Sequence, residues 1–222
     1  MPCFKPARVK GEGDSMEIIW NPRTIEQKSM EIIETYIQGY QFDQAEKSVV
    51  KRIIHTTGDP SIVSAVEFSP GAGELGRKLL RNNPVIFTDV SMIKAGINAG
   101  KLNDFGGRAY CSIAAPETAE AARQWNITRA AAAMRLWGKR LDNAIIAIGN
   151  APTALFEVIA MIEKGLIKPA LIIGTPVGFV GAAESKELMV QKKLTPYITI
   201  HGTRGGSPIA ASIINALLYL EK

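Results

Sequence analysis

The sequence predicts an α/β protein: a single domain in three layers, α/β/α, around a doubly wound, mainly parallel sheet of flavodoxin-like type, with about five parallel strands. Three observations predict it. Residues 143–186 alternate short apolar runs, glycine turns and helical stretches twice over. A further unit of the same kind, residues 196–220, follows toward the C-terminus. The 222 residues, 46% hydrophobic and 21% charged, suffice for one substantial core of ordinary globular composition.

In the first of these stretches, residues 144–148 are a short apolar run that Gly149 and Asn150 end. Pro152 suits a first helical turn, where its missing N–H is not needed. Residues 154–162 continue with helix formers as far as Gly165, and Lys168-Pro169 leads into the apolar run 170–173. Such units pack as parallel strands joined by right-handed crossovers, and ligands bind beyond the strands' carboxyl ends. The turns at 149–153 and 174–185 are therefore expected side by side on one rim. Gly149, Asn150, Thr153 and Ser185 are candidate ligand contacts there. Lys186, directly after Ser185, is either a further group for that rim or a surface lysine, the usual fate of a lysine after a serine in a helix.

The other elements follow in chain order. Residues 1–16 read as a flexible, partly basic lead-in, and residues 17–222 as the domain. Residues 23–38 form a helix with Ile25, Ile32, Ile33 and Tyr36 on one face. Ser29 falls within that face, either bonded back to its own helix backbone or presented to a pocket. Residues 42–55 form a second helix, with Asp43 and Glu46 as a capping box and Gly58 just past its end. At about 100° per residue, Phe42, Ala45, Val49 and Ile53 share a core-facing arc. Lys47 and Lys51 take the opposite, exposed arc. Ser48, Arg52 and His55 form the strip between, where a cleft wall would stand. His55 is either a charge set against a helix C-terminus or an acid/base group. Imidazole is the side chain that, unperturbed, titrates between pH 5 and 8.

Residues 61–82 are less regular. Gly71, Gly73 and Gly76 match the dinucleotide fingerprint, but Ser69-Pro70 stands where that motif requires a strand. The segment is read as a helix-start turn. Residues 84–88 form a buried strand followed by Asp89, which either caps the next helix or lines the rim. A short helix over 90–95 and a strand over 108–113 come next. Residues 116–141 hold two helices separated at Asn126, the second capped by Thr128. Arg129 in that helix's first turn is electrostatically misplaced, because that end is already positive. Either it is solvated, or it holds an anion together with the helix N-terminus. The last unit has a strand over 197–201, a loop over 202–208 with Ser207 as cap, and an apolar helix. His201 reads as structural and Arg204 as a second guanidinium on the rim.

The net charge of +5 suits a solvated surface or an acidic ligand. No basic stripe interleaved with aromatics points to nucleic acid. No apolar run approaches the roughly 18 residues that suggest a membrane span, and the N-terminal residues carry no apolar signal core. Cys3 and Cys111 have neither metal nor redox spacing, which fits a reducing cytoplasm. The sequence carries no Cys/His metal cluster, nucleophile elbow, phosphate-binding loop or paired carboxylates. A histidine, several arginines, hydroxyls and backbone N–H groups remain, a set suited to binding a large anion and moving one proton. On site chemistry alone, the reading is an α/β enzyme with an anionic ligand.

Three stretches add a resemblance. GNAPTAL (149–155), TPVGFVGAAESK (175–186) and GTRGGSPIAASIINAL (202–217) closely resemble the precorrin-8X / cobalt-precorrin-8 methylmutases of cobalamin biosynthesis. The likeness spans residues 17–219. It implies an isomerase that moves a methyl group within a polycarboxylate tetrapyrrole, from the bridging carbon beside ring C to the neighbouring ring carbon. The product is hydrogenobyrinic acid, or cobyrinic acid when the substrate carries cobalt. The resemblance further implies no cofactor, a cytoplasmic homodimer, His55 as proton donor, and Ser29, Arg52, Thr128 and Arg129 as substrate contacts, with Asp89 on the rim. Two other readings stand beside it. One is a nucleotide-dependent oxidoreductase resting on the glycine fingerprint, and the other is a non-catalytic tetrapyrrole-binding protein resting on the positive charge.

Overall fold

Five strands run parallel and a sixth runs against them in a computed structural model that describes residues 18–220. The lead-in expected over residues 1–16, and Cys3 with it, lies outside the described residues. The chain divides into two units, one ending at Gly39 and one beginning at Tyr40.

The first unit holds α1 (Pro22–Ile37). Asn21 caps it by accepting the N–H of Thr24, and Pro22 occupies the first turn. Ile33 and Ile37, one helical turn apart, are its buried positions. Ile25, Ile32 and Tyr36, expected on the same packed face, are exposed.

The second unit begins with α2 (Gln44–Thr57). Both halves of the Asp43–Glu46 capping box are made, and Gly58 closes the helix in a left-handed conformation with φ of 65°. Ala45, Val49 and Ile53 are buried as expected, whereas Lys47 and Lys51 are half-buried rather than on an open arc. A short 3-10 helix (Pro60–Ala65), β1 (Val66–Phe68) and α3 (Ala72–Leu79) follow. Next come β2 (Val85–Thr88), α4 (Ser91–Gly96), α5 (Ala99–Asp104) and β3 (Arg108–Tyr110). Then α6 (Pro116–Trp125) and α7 (Arg129–Trp137) meet at Asn126, which ends α6 in a left-handed conformation. The chain continues with β4 (Ile145–Ile148), α8 (Pro152–Glu163), β5 (Leu171–Gly174), α9 (Ala182–Lys192), β6 (Tyr197–Ile200) and α10 (Ser207–Tyr219). The α10 cap is Gly206, one residue before the expected Ser207.

The sheet order is β1-β6-β5-β4-β2-β3, with β1 antiparallel to β6 and every other pair parallel. Taken alone, the parallel strands follow the flavodoxin-like order 2-1-3-4-5, which is the doubly wound sheet expected. β4, β5 and β6 are buried along their whole length, and they read as unbroken apolar runs because helices cover both faces. α2, α3, α4 and α10 pack together over one face, and α6, α7, α8 and α9 over the other. Beneath α7 and α8, Ile146, Ile148 and Ile172 meet Met134, Leu155, Val158 and Ile159. Each such burial stabilises the fold by about 1.5–3 kcal/mol. Among the described residues, no helix is long and apolar enough to cross a membrane.

Three elements had no sequence expectation, the 3-10 helix, α5 and β1. β1 does precede the glycine fingerprint, so a strand stands where Ser69-Pro70 argued against one. It is a three-residue antiparallel edge strand, however, and not the central parallel strand of a dinucleotide site. The fingerprint glycines serve helix packing instead. A Cβ on Gly76 would lie 2.8 Å from Leu217 of α10, and one on Gly73 would lie 3.1 Å from Ala45 of α2.

Candidate active site

The strand order reverses between β2 and β4, and an open α/β sheet forms its ligand crevice at such a point. Asp89 follows β2 there and is fully buried. Its Oδ1 accepts the N–H of Gly149 at 3.1 Å, and its Oδ2 accepts those of Asn150 at 3.0 Å and Ala151 at 2.7 Å. Burial pushes this carboxyl above its usual range, against the pull of those three donors. Asp89 therefore lies under the rim and shapes the β4–α8 turn. It does not cap α4, whose cap is Val90. Gly149 is needed because a Cβ would come within 2.9 Å of Ser207 Cα at the start of α10. Asn150 emerges exposed just beyond it.

The N-termini of α7 and α8 converge beside this turn. The hydroxyls of Thr128 and Thr153 share a hydrogen bond of 2.7 Å, and Thr128 also caps α7 by accepting the N–H of Ala131. Thr128, Arg129 and Thr153 are all exposed. Two positive helix ends, two hydroxyls and a guanidinium thus border one patch, a ready anion site.

The loops after β5 and β6 complete the rim. Gly206 N–H donates to Thr175 O at 2.8 Å, and Gly178 N–H donates to Thr203 O at 3.1 Å. Arg204, expected to face a ligand, is committed elsewhere: it pairs with Asp59 at 2.9 Å and donates to Ser61 Oγ at 3.0 Å. The Ser61 hydrogen bond first, and the Arg204 charge with it, hold the Asp59 carboxyl below its usual range. Ser185 is buried and donates to Ala182 O within its own helix, so it too lies under the rim.

β1 brings the end of α2, which bears His55, to the carboxyl side of the sheet. Val66, the first residue of β1, pairs with Ile200 at the carboxyl end of β6. An antiparallel strand starts where its parallel neighbours finish, so the connection from α2 into β1 also lies at the carboxyl end. The Asp59–Arg204 ion pair fastens that connection to the β6–α10 loop. His55 stands four residues before Asp59, at most about 14 Å along the chain. It is exposed in the last turn of α2, with Arg52 half-buried one turn earlier and Ser48 half-buried beyond. Ser29 is half-buried on α1, in the other unit. His201 is structural as expected, its Nε2 meeting Glu67 across the β1–β6 pair.

Lys186 is neither on the surface nor open to the rim. It is fully buried on α9, and its Nζ donates to Arg204 O at 2.6 Å. Burial lowers its pKa to about 8. Between about pH 8 and 10.5 the unfolded chain therefore holds a proton that the folded chain has released, and stability rises with pH across that window. Melting temperatures of the wild type and Lys186→Met are expected to diverge in the wild type's favour as pH climbs through it. A difference that stays flat would place the ammonium in water. A lysine stem is apolar, and only the packing of α9 against the β6–α10 loop shows that this one is interior.

Among the described residues, no group of three or more His, Cys, Asp or Glu could hold a metal ion. Comparison with known proteins finds a precorrin-8X methylmutase family model matching residues 24–220. The chain is 39% identical over 204 residues to the cobalt-precorrin-8 methylmutase of Methanocaldococcus jannaschii, covering 89% of this chain and 93% of that one. It is 41% identical over 167 residues to the precorrin-8X methylmutase of Pseudomonas aeruginosa, covering 75% and 80%. The solved precorrin-8X methylmutase of Thermus thermophilus superposes with a TM-score of 0.80 at 35% identity, covering 88% of this chain and 96% of the other.

Proposed function

This chain belongs to the precorrin-8X methylmutase family, and we propose that its rim residues perform the family's rearrangement. The enzyme is an isomerase of cobalamin biosynthesis that shifts a methyl group within a tetrapyrrole. The bond from the methyl to the bridging carbon breaks as the bond to the neighbouring ring carbon forms. His55 lends the macrocycle a proton that favours the shift and receives it back afterwards, so substrate and product are isomers. The α7 and α8 N-termini, Thr128, Thr153, Asn150, Arg129 and Arg52 hold the substrate carboxylates. No nucleotide or protein-bound metal takes part, and cobalt, where present, arrives within the substrate. The protein works in the cytoplasm as a homodimer.

The observation that supports this reading best is the antiparallel β1, whose start beside the carboxyl end of β6 brings the α2–β1 connection to the side of the sheet where the α7 and α8 N-termini converge. Absorbance titration with hydrogenobyrinic acid and with cobyrinic acid tests it. The wild type is expected to give a saturable spectral change. Arg129→Ala is expected to weaken binding roughly tenfold or more, the loss of one charged hydrogen bond, with little change in melting temperature. A large fall in melting temperature with unaltered binding would make Arg129 structural.

A further inference from the structure

The loop between β5 and α9 carries the two most exposed large apolar side chains among the described residues, Phe179 at 92% and Val180 at 89%, with Val177 at 44%. Such exposure is unfavourable in water, and adjacent exposed apolar side chains mark a binding surface. The loop is pinned at both ends. Gly178 N–H is held by Thr203 O. Gly181 starts α9 with φ of 78°, and a Cβ there would sit 3.3 Å from Phe156 and 3.4 Å from Pro152 of α8. The apolar pair is therefore presented by a fixed turn. The polar groups of the rim flank it, with the α8 N-terminus and Thr153 on one side and the 202–206 loop on the other.

We propose that Phe179 and Val180 form the platform on which one face of the bound macrocycle rests. The inference rests on the tetrapyrrole reading above and adds the apolar half of recognition to it. A conjugated ring edged by carboxylates needs charge at its perimeter and an apolar surface under its face, and the rim provides the two side by side. An aromatic ring supplies that surface at low conformational cost. A second copy of the chain fits less well as the occupant. An aromatic side chain covers roughly 150–250 Å², so this pair falls well short of the about 800 Å² per partner that a stable interface buries.

Absorbance titration with hydrogenobyrinic acid, paired with sedimentation of the same samples, tests the platform. Both side chains are exposed, so Phe179→Ala and Val180→Asp should fold as the wild type does. Phe179→Ala is expected to raise Kd by about tenfold or more, and Phe179→Trp to restore it, since any aromatic face can stack. Val180→Asp is expected to weaken binding as well, and all variants should keep the wild-type oligomeric state. Wild-type affinity in Phe179→Ala would overturn the platform while leaving the tetrapyrrole reading intact. Weakened binding accompanied by loss of the wild-type oligomer would assign the loop to a contact between copies. Absence of binding by the wild type itself would remove both the platform and the reading beneath it.

Discussion

Replacing His55 with alanine is expected to abolish measurable turnover, lowering kcat by about 10²–10⁴-fold, the usual contribution of a positioned general acid. The fold should survive. The side chain is exposed, and the buried positions of α2 are Ala45, Val49, Val50, Ile53 and Ile54. Gly58 N–H donates to Ile54 O and Thr57 Oγ1 to Ile53 O, so the helix end is closed without the imidazole. An exposed substitution of this kind changes stability by about 0.5 kcal/mol or less. At this chain length that shifts Tm by no more than about 2 °C. Product affinity should change little, because the carboxylates are held elsewhere. Turnover like that of the wild type would remove the acid/base role. Unchanged kcat with a raised KM would make His55 a binding group only.

Asp89→Ala is expected to cause the largest loss of stability. Three backbone N–H groups, those of Gly149, Asn150 and Ala151, would lose their shared acceptor. At about 1 kcal/mol or more for each unmet donor, the loss is at least about 3 kcal/mol, or a fall in Tm of roughly 6 °C or more. Activity should fall with it, because the β4–α8 turn sets Asn150 and Thr153 at the switch point. The size of the loss depends on pH. Burial raises the Asp89 carboxyl, so holding it ionised costs the wild type stability at neutral pH. That cost disappears as pH falls below the ordinary carboxylate range, where the group is protonated whether the chain is folded or not. The gap between wild type and variant should therefore widen on acidification. Denaturant unfolding at two pH values checks both statements, and a gap that narrows would reverse the account of Asp89.

What the sequence shows and what it hides divide along a physical line. The β4–α8–β5 unit was legible almost to the residue, because a strand buried on both faces is a bare apolar run and its glycine turns have few alternative uses. The Asp43–Glu46 box and the Thr128 cap were legible for a similar reason, since each depends on side chains three residues from the backbone they bind. β1 was not. Three residues ending at Ser69-Pro70 carry too little alternation to register, and their pairing with β6 joins positions 130 or more residues apart. The position of the α2–β1 connection at the carboxyl end of the sheet depends on that pairing. Arg129 could be identified as an out-of-place charge, and it is exposed at the start of α7. The burial of Lys186 and Ser185, and the capture of Arg204 by Asp59, follow from loop packing that no local pattern encodes. In the same way, the spacing of Gly71, Gly73 and Gly76 fits a nucleotide turn or close helix contacts equally well until α2 and α10 are seen against them.

Whether this rim moves a methyl group within a tetrapyrrole without any added cofactor is tested most directly by supplying purified protein with precorrin-8X and, separately, with cobalt-precorrin-8. Nucleotide and added metal are left out, and absorbance and product mass are followed. At least one of them is expected to be converted to a product of changed spectrum and unchanged mass. Recovery of both compounds unaltered after demonstrable binding would make this a tetrapyrrole-binding protein. Conversion that required a nicotinamide nucleotide and changed the mass would make it an oxidoreductase.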